Sequence, residues 1–414
     1  MDENLQSKIR ENLVAGRSGQ FRLLADLIKT PSETLSGAGG DMAAISELTC
    51  KALKDLDFGV ERHPIPDDAP GASGAPGGVT NLVVRHEFAA GPVVALVAHG
   101  DTAQAGDGWT MDPFGAEIRD GVLYGLGALT KADFTVYAHA LAALRDARPD
   151  LSGTVELHFT FDGEAEGEWG PKWLLDQSIV NPDYALGSGS AYAIGTSSTG
   201  DLQLHVEFEP LVGSAGAGKF KADPMQAASR VLDALYKLRD TYGEIQSDIP
   251  GIGSPALVIG QIEGGERPDA APGRVTLSLD RRLIPDEDPA AVERELTDLI
   301  AAAANQIGGV LCRIDRLKLN RPMTPGPGTD TLASVLERQA AAATGAAVAV
   351  TGVPHATDTR HYAAIGIPSM LYGAGPEETD GQPGGADERL VLDDLRKATE
   401  AVALTLGEFM TPAG

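Results

Sequence analysis

Polar residues that could carry out chemistry are concentrated in four segments, each placed where a predicted strand ends. These segments are residues 99–101, 162–168, 355–360 and 380–388. Histidines and carboxylates that converge from separate strand ends can form a metal site or an acid–base site. In His99-Gly100-Asp101, the histidine could bind a metal while the aspartate orients it, or the two side chains could simply hydrogen-bond within a loop.

The elements that must position these segments alternate between strand and helix. The apolar run GPVVALVA before His99 predicts a buried parallel strand, and residues 155–161 predict a second strand that also ends in carboxylates. A helix is predicted between them, over residues 133–147. This alternation predicts an α/β main domain, with a mostly parallel sheet and helices on both faces, whose chemistry lies at the carboxyl ends of the strands.

From residue 201 the pattern changes. LQLHVEFEP alternates with a period of two, and further strands and two amphipathic helices follow it. We therefore predict an α+β domain over residues 201–316, inserted into the main domain. Residues 1–200 and 317–414 are the first and second parts of that main domain.

The composition excludes several classes of partner. Among 414 residues, 59 acidic and 33 basic side chains give a net charge of −26, and such a surface repels nucleic acid and anionic membranes. Two cysteines, Cys50 and Cys312, are too few for a disulfide framework. The N-terminus lacks a secretory signal pattern, and no apolar run reaches the about 20 residues of a membrane span. We expect a cytoplasmic protein.

A series of motifs makes the chain similar to the co-catalytic zinc hydrolases. In order, the motifs are AHGDT, WTMDPFGAEIRDGVLYGLGA, FTFDGEAEGEWG, GVPHATDTRHY, GIPSMLYGAG and ADERLVLDDL. That family includes acetylornithine deacetylase, succinyl-diaminopimelate desuccinylase, aminoacylase and glutamate carboxypeptidase. The resemblance covers almost the whole chain and implies the family's fold, in which the inserted lid domain mediates dimerisation. A homodimer is therefore expected.

The resemblance also implies two zinc ions, held by a histidine, a bridging aspartate, a glutamate, a further acidic residue and a late histidine, with a neighbouring glutamate as general base. His99 matches the first histidine, and Asp101 matches the aspartate that orients it. Thr130 stands where the bridging carboxylate belongs. A hydroxyl cannot replace a charge that two cations share.

Only one carboxylate remains where the family has an adjacent pair of glutamates. If the alignment is anchored on Asp162, Gly163 takes the place of the general base and Glu164 that of the ligand. If it is anchored on Gly167, Glu164 becomes the base and Ala165 replaces the ligand. Both alignments remove one of the two carboxylates.

The other positions that the resemblance implies are also changed. The later acidic ligand falls on Ser188 or Gly189, and the late histidine falls on Gly384. In the lid, Gly216 replaces a histidine and Asp269 replaces an asparagine that meets the substrate. Because Asp269 exchanges a neutral amide for an anion, it favours an amine or guanidinium on the substrate.

With so few ligands left, we expect a repurposed site that uses no metal, or at most one divalent metal such as zinc held by His99 and Glu164. Its substrate would be an amide, amidine or amino-acid-like small molecule of specialised metabolism, cationic or amine-bearing. The candidate catalytic residues are His99, Asp101, Lys131, Asp133, Glu164 and His355, and the candidate substrate-binding residues are Asp269, Asp358 and Arg360.

Two other functions stay open. A metal-dependent amidohydrolase, either an N-deacylase or a dipeptidase, would need stand-in ligands such as Asp133, His355 or Glu166. A non-catalytic binding or regulatory protein would keep only the fold. Some candidate residues also have plain structural explanations: Lys131 and Asp133 could simply begin a helix, and His355 and Asp358 could tie loops together.

Overall fold

A computed structural model of the chain describes residues 1–34, 41–66, 79–147, 150–165, 167–211, 222–267, 269–376 and 383–411. The chain folds into two compact units. The first unit is Met1–Thr196, Pro325–Thr351 and Thr357–Gly414, and the second is Ser197–Thr324 and Gly352–Ala356. The domain boundaries near residues 200 and 316 stay a sequence prediction. Glu166 and Gly216, two positions singled out in the sequence, lie outside the described residues.

The helices are α1 (Glu3–Ile28), α2 (Met42–Asp55), α3 (Ala132–Asp146), α4 (Pro171–Asp176), α5 (Pro224–Thr241), α6 (Pro289–Ala304), α7 (Thr329–Thr344), α8 (Arg360–Ala364) and α9 (Leu392–Phe409). The strands are β1 (Val60–Pro64), β2 (Thr80–Ala89), β3 (Val93–His99), β4 (Glu117–Arg119), β5 (Val122–Tyr124), β6 (Gly153–Thr160), β7 (Tyr184–Gly187), β8 (Ala193–Ser198), β9 (Gly200–Pro210), β10 (Ala256–Gly264), β11 (Val275–Leu283), β12 (Val310–Asn320), β13 (Ala349–Val353), β14 (Ser369–Leu371) and β15 (Arg389–Val391). None of the helices in the described ranges is both long and apolar enough to cross a membrane.

The largest sheet has the strand order β1-β2-β6-β3-β7-β14-β8-β13. Its centre is parallel, because β3 pairs in parallel with β6 and β7, and β7 pairs in parallel with β14. Antiparallel pairs flank this centre, β1 with β2 and β2 with β6 on one side and β14 with β8 on the other. The predicted α/β fold class is confirmed, and the carboxyl ends of the central strands share one edge.

Helices cover both faces of this sheet, which explains why its central strands are apolar runs rather than alternating ones. Val94, Leu96 and Ala98 pack into the large core that includes residues of α1, α3, α7 and α9. Ala95 and Val97 point the other way, into a smaller cluster that includes Tyr362 of α8. Successive side chains of β3 therefore serve opposite faces.

The second unit contains an antiparallel sheet in the order β10-β11-β9-β12 together with α5 and α6. In β9, residues such as Leu202 and Leu204 are buried with α5 and α6, whereas the intervening residues are only partly buried. The period-two pattern of the sequence thus matches a sheet with one face on a core. This unit is the inserted α+β domain of the predicted fold class.

Candidate functional site

His99 and Asp101 form a hydrogen-bonded pair at the carboxyl end of β3. The distance from His99 Nδ1 to Asp101 Oδ1 is 3.0 Å. Asp101 is fully buried and also accepts hydrogen bonds from the Thr34 hydroxyl at 2.7 Å and from the backbone N–H groups of Gly163 and Glu164 at 2.8 and 2.9 Å. Asp101 therefore joins three separate segments of the first unit around the imidazole.

The charges of this pair support each other. Burial works against ionisation of Asp101, but the hydrogen bonds from His99 and Thr34 hold its pKa below the usual value. Burial likewise opposes the charge on His99, and the hydrogen bond to Asp101 with the nearby charges of Asp101, Asp358 and Glu164 outweighs it, so that its pKa rises to about 10. His99 is thus an imidazolium at neutral pH, with Nδ1–H donating to Asp101.

The backbone of Gly163 lies directly against the His99 ring. A Cβ atom built on Gly163 would lie 2.2 Å from Cγ and 2.3 Å from Nδ1 of His99, well inside van der Waals contact. No side chain fits at position 163 while His99 keeps this place. In the alignment anchored on Asp162, where Gly163 takes the place of the general base, this packing leaves no room for the carboxylate.

Glu164 follows in a single 3₁₀ turn, Gly163–Ala165. Its side chain is partly buried, and burial together with the negative charges of Asp101 and Asp358 raises its pKa, against the opposing effect of His99. Such a carboxyl group titrates closer to neutral pH than an exposed one. Glu164 is the one carboxyl group in the turn next to His99.

Two further aspartates, Asp162 and Asp358, add carboxyl groups near His99 and Glu164. Asp162 is fully buried, and its Oδ2 accepts the backbone N–H groups of Trp169 at 2.6 Å and Gly170 at 2.9 Å. Burial and the nearby Asp358 raise the pKa of Asp162 well above its usual value. Oδ2 of Asp358 is buried and has no hydrogen-bond partner among the described residues. A cation or a donor group would satisfy this oxygen.

Lys131 is buried and faces the carboxyl end of α1. Its Nζ donates to the backbone oxygens of Leu27 at 2.8 Å and Thr30 at 3.1 Å. Burial lowers its pKa to about 7, although carboxylates led by Glu388 work in the opposite direction. Because both carbonyls belong to the end of α1 and the turn after it, the lysine stabilises that helix end, a use of cations that the helix dipole favours.

Asp133 connects the ends of two other strands to α3. Its carboxylate accepts the backbone N–H of Ala374 at 2.8 Å and that of Gly189 at 3.3 Å. Burial raises its pKa to about 7, with the nearby charge of His99 acting the other way. A Cβ on Gly373 would lie 2.2 Å from the carboxylate, so the glycine leaves room for it. Asp133 is within electrostatic reach of His99 and holds the turns after β7 and β14.

The other candidates belong to the second unit or are already hydrogen-bonded. Asp269 is exposed and is paired with Arg267 through contacts of 3.0 and 2.6 Å. His355, also exposed, belongs like Asp269 to the second unit. Arg360 is buried in the first unit, where its Nη1 donates to the backbone oxygen of Thr357 at 3.0 Å. The structure thus brings together His99, Asp101, Glu164 and Asp358, with Asp133 nearby, and gives Lys131 a place at a helix end.

The donor set does not fit a pair of zinc ions. Among the residues that the structure describes, no three or more histidine, cysteine, aspartate or glutamate side chains are arranged to hold a metal ion. Asp101 and Asp133 direct their oxygens at backbone N–H groups. Gly384, at the place of the late histidine, has a left-handed φ of 74° and donates its N–H to Glu388. A zinc site ordinarily takes three or four protein ligands.

Several parts of the site were not foreseen from the sequence. Thr34 lies 67 residues before Asp101, and no local pattern marks it as its hydrogen-bond donor. The steric requirement for glycine at position 163 also becomes visible only when the position of the His99 ring is known. The sequence does place Asp162 directly after a buried strand and before the Gly-Pro start of α4, and in the structure it accepts the N–H groups of Trp169 and Gly170 just ahead of that helix.

The chain resembles known proteins in sequence and in fold. A model of peptidase family M20/M25/M40 matches residues 95–408. The succinyl-diaminopimelate desuccinylase of Rhizorhabdus wittichii is 28% identical over 290 residues, 65% of this chain and 73% of that protein. An uncharacterized metallohydrolase of Methanococcus maripaludis is 25% identical over 242 residues, 55% of this chain and 58% of that protein, so the chain matches little more than half of this relative.

Among solved structures, human carnosine dipeptidase 1 superposes with a TM-score of 0.71, covering 98% of this chain and 99% of that chain. The sequence identity between the two is 17%. At this level of identity the likeness concerns the fold alone.

Proposed function

The chain belongs to peptidase family M20/M25/M40, and from this premise we propose that it hydrolyses an amide or amidine bond of a small amino-acid-like molecule, using no metal or at most one. The observation that carries the proposal is the packing of His99 on Gly163, which takes the space of a carboxylate at that position. Side chains rather than a pair of metal ions then have to activate water and stabilise the developing charge. No step of the proposed reaction passes through a metal.

Glu164 is the proposed general base. Its raised pKa brings it nearer to the working pH, where a carboxylate accepts and returns a proton efficiently. In the proposed reaction Glu164 takes a proton from the attacking water as the water oxygen bonds to the carbonyl carbon of an amide or to the central carbon of an amidine. It passes that proton to the leaving nitrogen as the carbon–nitrogen bond breaks. An amide then gives an acid and an amine, and an amidine gives an amide and ammonia or an amine.

His99 is the proposed donor to the developing oxyanion. Its pKa of about 10 keeps the ring charged at neutral pH, and Asp101 fixes its orientation through Nδ1. Nε2–H is then the remaining donor of the ring. A fixed cationic donor in a partly buried place stabilises an oxyanion more than water does, because it needs no reorganisation during the reaction.

A positively charged group on the substrate fits the charge of this site. The cation of His99 is outnumbered by Asp101, Glu164 and Asp358, and Oδ2 of Asp358 lacks a hydrogen-bond partner in the described part of the chain. An ammonium or guanidinium group would supply both the charge and the donors.

The test is hydrolysis of a panel of dipeptides and N-acyl amino acids, each with neutral and cationic side chains, before and after chelation of metals. We expect turnover of cationic members that survives chelation, and a loss of about 10²–10⁴-fold in kcat for Glu164→Gln. Glu168→Gln is the matched control, because Glu168 pairs with Lys172 at 3.1 Å on the surface. Two tightly held zinc ions per chain in elemental analysis, with activity lost on chelation, would refute the proposal.

The proposed partner, besides the substrate, is a second copy of the chain bound through the second unit. β10 is an edge strand of its sheet, and Val258 and Ile262 on it are 55% and 53% exposed. Edge strands with exposed apolar residues favour pairing with another chain. Light scattering of the native chain and of Ile262→Lys tests this: the native chain should be a dimer that the substitution weakens, and a monomeric native chain would contradict it.

A further inference from the structure

A chain of polar side chains runs through the interior of the first unit and takes no part in the proposed reaction. His158 of β6 is fully buried, and its Nε2 lies 2.8 Å from Oε2 of Glu156. Its Nδ1 lies 2.8 Å from the hydroxyl of Tyr362, which is also fully buried. The carboxylate, imidazole and hydroxyl thus form a continuous hydrogen-bonded row.

The row is held at its outer end by Arg85. The guanidinium donates through Nε to Glu156 Oε1 at 2.8 Å, and it also contacts Glu61 on β1 and the backbone oxygen of Ile179. Burial opposes the charge on Glu156, but the hydrogen bonds from His158 and Arg85 lower its pKa below the usual value. The ionised Glu156 is therefore an acceptor, which places a hydrogen on Nε2 of His158.

The hydroxyl of Tyr362 is the donor at the inner end of the row. Burial raises the pKa of Tyr362 well above its usual value, so that the hydroxyl keeps its hydrogen. With Nε2–H bound to the carboxylate, Nδ1 of His158 accepts from Tyr362. The two rings are also stacked, with centroids 5.9 Å apart and planes inclined by 20°. Both the hydrogen bond and the stacking fix the place of Tyr362.

The inner end of this row, Tyr362, lies among apolar residues. Tyr362 packs in one cluster with Ala95, Val97 and Ala185. In such surroundings three polar groups are no more stabilising than apolar residues of the same volume. A polar row in an apolar layer specifies position better than apolar contacts do, because its hydrogen bonds are satisfied in only one arrangement.

Tyr362 connects the row to the loop that carries Asp358. The backbone N–H of Tyr362 donates to the oxygen of Thr359 at 3.1 Å, and that of His361 donates to the oxygen of Asp358 at 3.1 Å. Thr359 in turn rests on Gly187, where a Cβ atom would lie 2.2 Å from its hydroxyl oxygen. A shift of Tyr362 would therefore move Asp358 relative to His99.

We propose that Glu156, His158 and Tyr362 form a positioning triad that fixes the loop 357–361 and, through it, the Asp358 carboxylate beside His99. Only one part of this proposal rests on the proposed function, namely that the Asp358 carboxylate binds a cationic group of the substrate. None of the three residues touches the substrate. The triad acts through the backbone of α8 and the residues before it.

The first experiment compares hydrogen exchange of the backbone amides of Arg360 and His361 in Tyr362→Phe and Tyr137→Phe. Tyr137 is the matched control, because its buried hydroxyl donates to the backbone oxygen of Tyr372 at 2.9 Å in the large core, whereas Tyr362 belongs to the smaller cluster. Both variants lose one buried hydrogen bond and should show a similar fall in Tm. Only Tyr362→Phe should raise the exchange rates of these amides, by at least about tenfold. Equal exchange rates in the two variants would overturn the proposal.

The second experiment records the ring nitrogens of His158 in the native protein by long-range ¹H–¹⁵N correlation, which needs no variant to fold. The expected spectrum shows the hydrogen on Nε2 and an accepting Nδ1; a hydrogen on Nδ1 alone would overturn the proposal. For any panel substrate that is turned over, Tyr362→Phe should raise KM with little change in kcat. Because exchange and spectra need no substrate, absence of turnover with a normal triad would count against the proposed function alone.

Discussion

The carboxyl edge of the first unit's sheet and the exposed ion pairs on the second unit's sheet hold their charges in opposite ways. At the carboxyl edge of the first unit's sheet, Asp101 and Lys131 are fully buried, and the pKa values of His99 and Lys131 are moved to about 10 and about 7. On the second unit's sheet, Arg313 pairs with Glu207 at 3.0 Å while its side chain stays 56% exposed. Charged side chains are thus buried in the first region, whereas Arg313 in the second is exposed to water.

The difference shows where chemistry is favoured. Water screens exposed charges such as Arg313 on the second unit's sheet, so their pairing changes their reactivity little. Arg281 of β11, buried and paired with Glu287, is an exception on that sheet. Burial at the edge of the first unit's sheet strengthens each interaction and displaces each pKa. Displaced pKa values alone do not make a site, however, because Lys131 is displaced and yet bonded to helix carbonyls. A buried oxygen without a hydrogen-bond partner among the described residues, as at Asp358, is the more specific signal when it lies among groups whose pKa values are displaced.

The largest expected effect comes from removing the buried charge of Asp101. Asp101→Asn leaves the His99 cation without its partner, and we expect the free energy of unfolding to fall by about 3–5 kcal/mol, as for other broken buried pairs. Urea denaturation measures this. Asp269→Asn, which breaks an exposed pair in the second unit, should give no measurable change. Equal effects of the two substitutions would remove the contrast between the regions.

The pH dependence of stability should follow His99. Its pKa is raised from 6.5 to about 10, so its stabilising contribution is complete below the unfolded value and is lost as the pH rises through about 10. Between pH 7 and 9 the free energy of unfolding of the native chain should therefore fall by up to about 3 kcal/mol more than that of the His99→Gln variant. Urea denaturation at both pH values checks this; parallel losses would mean that His99 is not an imidazolium in the fold.

A smaller effect is expected from adding one methyl group. Gly163→Ala places a Cβ against the His99 ring, and overpacking of this kind costs about 1–3 kcal/mol. The control is Gly260→Ala on β10 of the second unit, where a Cβ would meet no atom within 4 Å. Thermal unfolding compares the two. If Gly163→Ala were as stable as the native chain, the ring would not be held where the structure has it.

The smallest effect is expected on the second unit's polar face. Arg313→Gln removes an exposed cation that pairs with Glu207 and Glu209, and such pairs contribute about 0–1 kcal/mol. The difference in urea midpoint from the native chain should shrink further in high salt, because screening already weakens the pair. If the free energy of unfolding fell as much as it does for Asp101→Asn, the ion pairs on this face would be as strong as the buried pair of the first unit.

The elements of the fold could be predicted because their causes are local. The apolar run before His99 marks β3, and the helix predicted over residues 133–147 corresponds to α3 (Ala132–Asp146). The alternation of β9 likewise follows from one buried face.

The chemistry of the site was less predictable, because it depends on pairs that are distant in sequence. The sequence is compatible with Lys131 acting as a catalytic amine or lying solvated at the start of a helix. Only the position of α1 shows that Lys131 binds the carbonyl of Leu27, 104 residues away. His158 could be placed in the interior, but its bond to Tyr362 spans 204 residues. Such contacts are set by packing of the whole unit, which periodicity does not describe.

The contact between His99 and Gly163 also limits how the site could be redesigned. A carboxylate introduced at position 163 would need the imidazole to move first, because even a Cβ atom there would lie 2.2 Å from the ring. An engineer who wanted a second acidic group beside Glu164 would therefore have to change both positions in the same variant.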